Sequence, residues 1–144
     1  MELTTKTIRH EDDNRDLAAI PDGVEDVAAQ VVDAAVKVHK TLGPGLLESV
    51  YEICLCHELA IRHIQFQRQL DLPIHYEGFR LESGLRIDIL VEDCVIVELK
   101  TVENLLPIHE AQLLTYLKLA KQRLGFLLNF NVPILKHGIR RLVL

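Results

Sequence analysis

From Val24 onward apolar residues recur at helical spacing, with Val24, Val27, Ala28, Val31, Ala35, Val38 and Leu42 on one stripe. Gly43-Pro44-Gly45 stops that helix, and a second is expected over roughly Leu46 to His63. The period then shortens from about 3.6 to 2. Phe66, Leu70, Leu72, Ile74 and Tyr76 alternate with Gln67, Gln69, Asp71 and His75, the pattern of a half-buried strand, and Glu77-Gly78 is a turn. A short strand near Phe79 to Leu81 should lead through Ser83-Gly84 into LRIDILV at 85–91, and Glu92-Asp93 should turn the chain into CVIVELK at 94–100. Pro107 suits the first turn of a third helix running to about Arg123 and closed by Gly125. GFLLNF and IRRLVL supply two final strands. The order helix, helix, three strands, helix, strand, strand predicts an α/β (α+β) domain with a central mixed sheet flanked by helices.

Residues 1–22 differ from the rest. They carry six acids (Glu2, Glu11, Asp12, Asp13, Asp16, Asp22) against three bases (Lys6, Arg9, Arg15) and end in the turn Pro21-Asp22-Gly23. They read as a mobile or loosely docked acidic extension before a single domain at 23–144. A chain of 144 residues is long enough for one core and short for two. The net charge of −5 argues against a broad basic surface that coats duplex DNA, because non-specific affinity comes from neutralising phosphates. Three cysteines, Cys54, Cys56 and Cys94, make no disulfide framework and fit a reducing compartment. The first residues hold no apolar leader, and no apolar run approaches the roughly 20 residues that span a bilayer. A cytoplasmic protein with no membrane partner is therefore expected.

The charges inside the strands alter this plain picture. Alternation in CVIVELK puts Glu98 and Lys100 on one face, and LRIDILV carries Asp88 as its only acid, with Arg86 and Leu90 on its side and Leu85, Ile87, Ile89 and Val91 opposite. A two-residue turn at Glu92-Asp93 would set Asp88 opposite Val97, on the wrong face. A three-residue turn or one bulge would set Asp88 opposite Glu98 and Arg86 opposite Lys100, and this register is the one expected. Two readings stay open for these strands alone: a salt-bridge ladder at a strand end, or carboxylates that hold a hard divalent cation beside an ammonium. Glu48, in the first turn of the second helix, is either a dipole-complementing acid or a third carboxylate of the same set. On the third helix His109, Gln112 and Tyr116 form a polar stripe, either a network fixing helix to sheet or part of a site.

A glutamate on a helix, an aspartate in a strand, Glu-x-Lys in the next strand and Gln-x-x-x-Tyr on the following helix resemble the PD-(D/E)XK nuclease superfamily. Gly45-Leu46-Leu47-Glu48-Ser49-Val50-Tyr51 is similar to the motif of the GxxExxY protein family placed within it. Arg86-Ile87-Asp88, Val97-Glu98-Leu99-Lys100, the run from His109 to Leu117 and the run from Gly125 to Phe130 match as well, so the resemblance covers about residues 24–144. Ile87 stands where the superfamily's proline precedes the aspartate.

The resemblance implies a restriction-endonuclease-like core and a metal-dependent nuclease acting on nucleic acid, with DNA favoured over RNA. It implies Mg²⁺ or Mn²⁺ held by Glu48, Asp88, Glu98 and the Leu99 backbone carbonyl. Lys100 would position or deprotonate the attacking water. Gln112 and Tyr116 would orient Lys100 or a phosphate oxygen, with His109, Arg86, Arg140 and Arg141 as candidates for phosphate binding. Arg62, His63, Arg68 and Arg80 are further bases that either join such a track or are solvated surface charges. A homodimer or a larger nucleic-acid-processing complex is the expected assembly. The competing reading is a non-catalytic nucleic-acid-binding or accessory subunit that keeps the nuclease fold. A zinc site at Cys54, Cys56 and His57 is disfavoured, because positions two apart on a helix diverge by about 200°, and the cysteines are better read as small core residues.

Overall fold

In a computed structural model the backbone of Lys6–Arg9 and residues 19–144 are described. Strand β1 (Lys6–Arg9) is followed by α1 (Asp22–Leu42), α2 (Glu48–Ile61), β2 (Phe66–Tyr76), β3 (Phe79–Val91), β4 (Val95–Lys100), α3 (Pro107–Ala120), β5 (Leu124–Asn129), a 3₁₀ turn (Leu135–Gly138) and β6 (Ile139–Val143). The strands form one mixed sheet in the order β1-β6-β5-β4-β3-β2. The sheet and helices give the α+β, restriction-endonuclease-like architecture that the pattern predicts. The expected acidic extension lies mostly outside the described residues, apart from β1, which pairs in parallel with β6, and residues 19–22, of which Asp22 already opens α1.

Two apolar layers sandwich the sheet. On one side the stripe of α1 and the buried face of α2, with Tyr51, Leu55 and Leu59, pack on Val95, Val97, Leu99, Phe126 and Leu128. On the other, Leu113 and Leu117 of α3 pack on Ile96, Leu127 and Leu142. Strands β4 and β5 run parallel and are joined through α3, so the polypeptide leaves one end of β4 and crosses the sheet face before it returns. On that face α3 lies over β5 and β6.

Three sequence expectations need correction. Gly125 does not close the third helix: α3 ends at Ala120, with Lys121 in the left-handed conformation (φ 58°), and Gly125 lies inside β5. A Cβ there would stand 3.1 Å from the Leu113 side chain and 3.2 Å from the Ile96 carbonyl, so glycine lets α3 settle close to the sheet. The region 79–91 is one strand, not two. The break expected at Ser83-Gly84 shows as a bulge in the pairing with β2: Leu72 faces Leu85 and Ile74 faces Leu81, so Glu82, Ser83 and Gly84 stand against Pro73 alone, which has no N–H to give the ladder. Finally, β3 does not alternate cleanly: Ile87 and Leu90 pack on the α3 side, while Ile89 and Val91 pack on the α1 and α2 side. The face changes at Asp88. Opposite it in β2, Gln69 takes a positive φ of 52°, and β2 changes face there too, with Phe66 on one side and Leu70 on the other.

Candidate metal and nucleic-acid site

The hairpin joining β3 and β4 has the longer turn. Ile89, Leu90 and Val91 pair with Val97, Ile96 and Val95, the register that sets Asp88 against Glu98. Backbone pairing then stops, and side chains replace it. The Asp88 N–H donates to Glu98 Oε1 at 3.1 Å, and the Leu99 N–H donates to Asp88 Oδ2 at 2.9 Å. Each carboxylate thus occupies a rung that a carbonyl would fill in a continued ladder, and the strands part just beyond. The expected pairing of Arg86 with Lys100 does not form for this reason. Arg86 instead bonds Asp71 on β2, at 2.9 Å from its Nε.

Burial is severe at this point, with Glu98 only 5% exposed. Desolvation, the neighbouring Asp88 charge and a hydrogen bond between the two side chains push the Glu98 carboxyl up to about 9, with Lys100 opposing. Below that value Glu98 keeps its proton. Glu48 opens α2 at the edge of the same cluster, and its carboxyl is raised by burial first and by Asp88 next, while Lys100 lowers it. Tyr116 stands on the far side, its hydroxyl raised by burial and by the Glu98 and Asp88 charges. Asp88, Glu98, Lys100, Glu48 and Tyr116 therefore share one electrostatic neighbourhood, drawn from β3, β4, α2 and α3.

The turn before Glu48 is held by the motif's own tyrosine. Tyr51 donates its hydroxyl hydrogen to the Gly43 carbonyl at 2.5 Å and accepts the Leu46 N–H at 3.1 Å, while its ring stacks on Phe130 at 4.5 Å. Gly43 and Gly45 have φ of 76° and 94°, which glycine adopts without strain. Beyond Lys100 the buried Asn129 fixes the exit: its Oδ1 accepts the Val102 N–H at 3.1 Å and its Nδ2 donates to the Val102 carbonyl at 2.9 Å.

The remaining candidates are placed differently. Gln112 is exposed on α3 one turn before Tyr116, and His109 accepts the Leu106 N–H through Nδ1 at 3.0 Å, in effect capping the helix. Arg140 lies 3.8 Å from Glu110, and Arg141 is paired with Glu25 of α1. Arg140 and Arg141 are thus directed to different carboxylates, as alternation along β6 requires. The structure does not gather them with Arg86 into one track. Sequence reading missed Glu52 and Gln69. Glu52 is only 5% exposed, and its position four residues after Glu48 on an apolar helix was a usable signal. Gln69 was not legible, because nothing in FQRQLDL marks its left-handed backbone.

Among the described residues no three of His, Cys, Asp and Glu converge closely enough to hold a metal ion. The donor chemistry nevertheless fits a hard cation. Asp88 and Glu98 are adjoining oxygen-only donors, the first half-buried and the second buried, joined through the Asp88 N–H bond to Glu98, and Mg²⁺ commonly takes one or two carboxylates with waters filling its remaining positions. The Leu99 carbonyl leaves β4 on the same side as its N–H, toward Asp88. Glu48 is beside this pair without joining it directly.

A sequence model of the PD-(D/E)XK nuclease superfamily matches residues 25–142, and the chain belongs to that superfamily. Such nucleases generally use divalent metal ions and act on nucleic acid. A comparison with curated proteins and one with solved structures found no match. Among the described residues no helix is long and apolar enough to cross a membrane.

Proposed function

We propose that the protein is a metal-dependent nuclease of the GxxExxY type that hydrolyses phosphodiester bonds, DNA before RNA. The observation that carries this reading is the Asp88–Glu98 pair at the point where β3 and β4 separate, with Lys100 two residues on. Asp88, Glu98 and the Leu99 carbonyl would hold Mg²⁺ or Mn²⁺, with Glu48 joining directly or through water. The ion would polarise the scissile phosphate and acidify a bound water. The rest falls to the chain. Lys100 orients the water or takes its proton and offsets charge on the phosphate in the transition state. Tyr116 and Gln112, on one stripe of α3, orient Lys100 or a phosphate oxygen. His109, at the start of that stripe, is a further candidate for phosphate contact once the nucleic acid displaces its bond to Leu106.

A second reading is favoured by the arginines: Arg86, Arg140 and Arg141 each face a carboxylate, so they supply little free positive surface. A chain with net charge −5 would then act as an accessory subunit whose partner supplies the affinity for nucleic acid. Incubation with labelled single- and double-stranded DNA and RNA, in Mg²⁺, Mn²⁺ or EDTA, separates the two. Metal-dependent cleavage that disappears in the Asp88→Ala/Lys100→Ala double variant supports the nuclease. Intact substrate in every lane, with metal binding verified, moves the assignment to the accessory subunit.

A further inference from the structure

Gln69 is the residue whose geometry asks for an explanation. Its neighbours pair regularly with β3, Arg68 with Ile89 and Leu70 with Ile87, while Gln69 itself departs from the strand with a φ of 52°. A non-glycine residue in that region costs roughly 1 kcal/mol or more, and glutamine has no short side chain to recover it by a local bond. The departure has a definite result. It directs the side-chain amide to Glu52 Oε1 at 2.7 Å and to Asp88 Oδ1 at 3.4 Å from the same nitrogen. An amide nitrogen carries two hydrogens, so both contacts are satisfiable together. Glu52 in turn is buried, and its other oxygen accepts from Arg68 Nε at 2.6 Å.

These contacts define a chain: Arg68 fixes Glu52, Glu52 fixes the Gln69 amide, and the amide presents a hydrogen to Asp88 Oδ1. On the opposite side Asp88 Oδ2 receives the Leu99 N–H. Both oxygens of the aspartate are thereby held in one orientation, each with a lone pair left over. We propose that Glu52 and Gln69 are positioning residues that lock the rotamer of Asp88 for cation binding. The proposal rests on the metal-site reading given above. Outer groups of this kind commonly set metal affinity as strongly as the ligand geometry itself, and their loss costs about 10- to 100-fold.

The test uses two variants and a control. Gln69→Gly removes the amide while keeping the left-handed backbone free of strain, so folding is expected to persist. Glu52→Gln keeps the volume and removes the charge that anchors the amide. Glu58→Gln serves as control: Glu58 is a second buried acid of α2, bonded to Lys37 and Arg62 and remote from Asp88 in this network. For each protein two quantities are measured: the Kd for Mn²⁺ by calorimetry, and amide hydrogen exchange at Leu99 without metal. The expected result is an Mn²⁺ Kd raised about 10-fold or more in Gln69→Gly and Glu52→Gln, with faster Leu99 exchange in both, and neither change in Glu58→Gln. Folded variants with an unchanged Kd and unchanged Leu99 exchange overturn the proposal, and so does an equal effect in the control. If the unsubstituted protein takes up no Mn²⁺, the metal reading fails by itself. Leu99 exchange then decides the lock: acceleration in both variants sustains it, and no change removes it.

Discussion

The two ends of β4 are built on opposite terms. Over Val95–Val97 the strand is paired on both sides, apolar on both faces and buried against α1, α2 and α3. From Glu98, the next residue, β3 is no longer paired, and side-chain bonds of Asp88 and Glu98 take over. The first half holds the fold together through apolar burial. The second half keeps its pairing with β5 but gives up that with β3 and desolvates charge, at a cost the first half must offset. The difference shows why the site sits at a strand end: only there does a buried carboxylate find backbone N–H groups freed from the ladder to bond. Stability and chemistry are adjacent in one six-residue strand, and each can be perturbed separately.

The sharpest break of the comparison is Lys100→Ala, which should lower metal-dependent cleavage by about 10²- to 10⁴-fold with the melting temperature and Mn²⁺ affinity almost unchanged, read by single-turnover kinetics beside a thermal melt. The mirror image is Phe126→Ala on β5, beside Val97 of the apolar half. It should cost about 3–5 kcal/mol in denaturant unfolding, while the protein that remains folded binds metal normally.

Next comes the pH dependence of Glu98. In the folded protein its carboxyl keeps a proton up to about 9, against an ordinary value of 4.5 in the unfolded chain. Between those values the folded state binds more protons, so this group's contribution to stability is lost as pH rises through that window. Without metal the melting temperature should fall between about pH 5 and 9, and Glu98→Gln should flatten the curve. A curve that rises instead would mean that Glu98 is ionised and paired. Tyr51→Phe should have a smaller effect, about 0.5–1.5 kcal/mol, from loss of the bonds to Gly43 and Leu46. Smallest is Arg86→Ala, an exposed pair with Asp71, for which less than about 1 kcal/mol is expected by urea titration.

The element order from α1 onward, the turn at 92–94 and the register of Asp88 on Glu98 were legible because apolar periodicity and turn length determine them, whereas the strand β1 within the expected extension was not. Gly125 was misread because a glycine after a helix signals a cap, whereas here it makes room for Leu113. The face change at Asp88 and Gln69 escaped because alternation assumes regular dihedrals, and no residue there announces a positive φ. The charged partners were the least legible: Arg141 with Glu25 and Arg68 with Glu52 join elements whose approach only the tertiary fold establishes.

A divalent cation held by Asp88 and Glu98 must displace the proton that burial keeps on Glu98. Mn²⁺ titration calorimetry at neutral pH, in two buffers of different ionisation heat, tests it directly. The account predicts saturable binding that releases a proton, tightens as pH rises and is lost in Asp88→Ala. Absence of binding in the unsubstituted protein, or uptake that survives Asp88→Ala with no proton released, would contradict it.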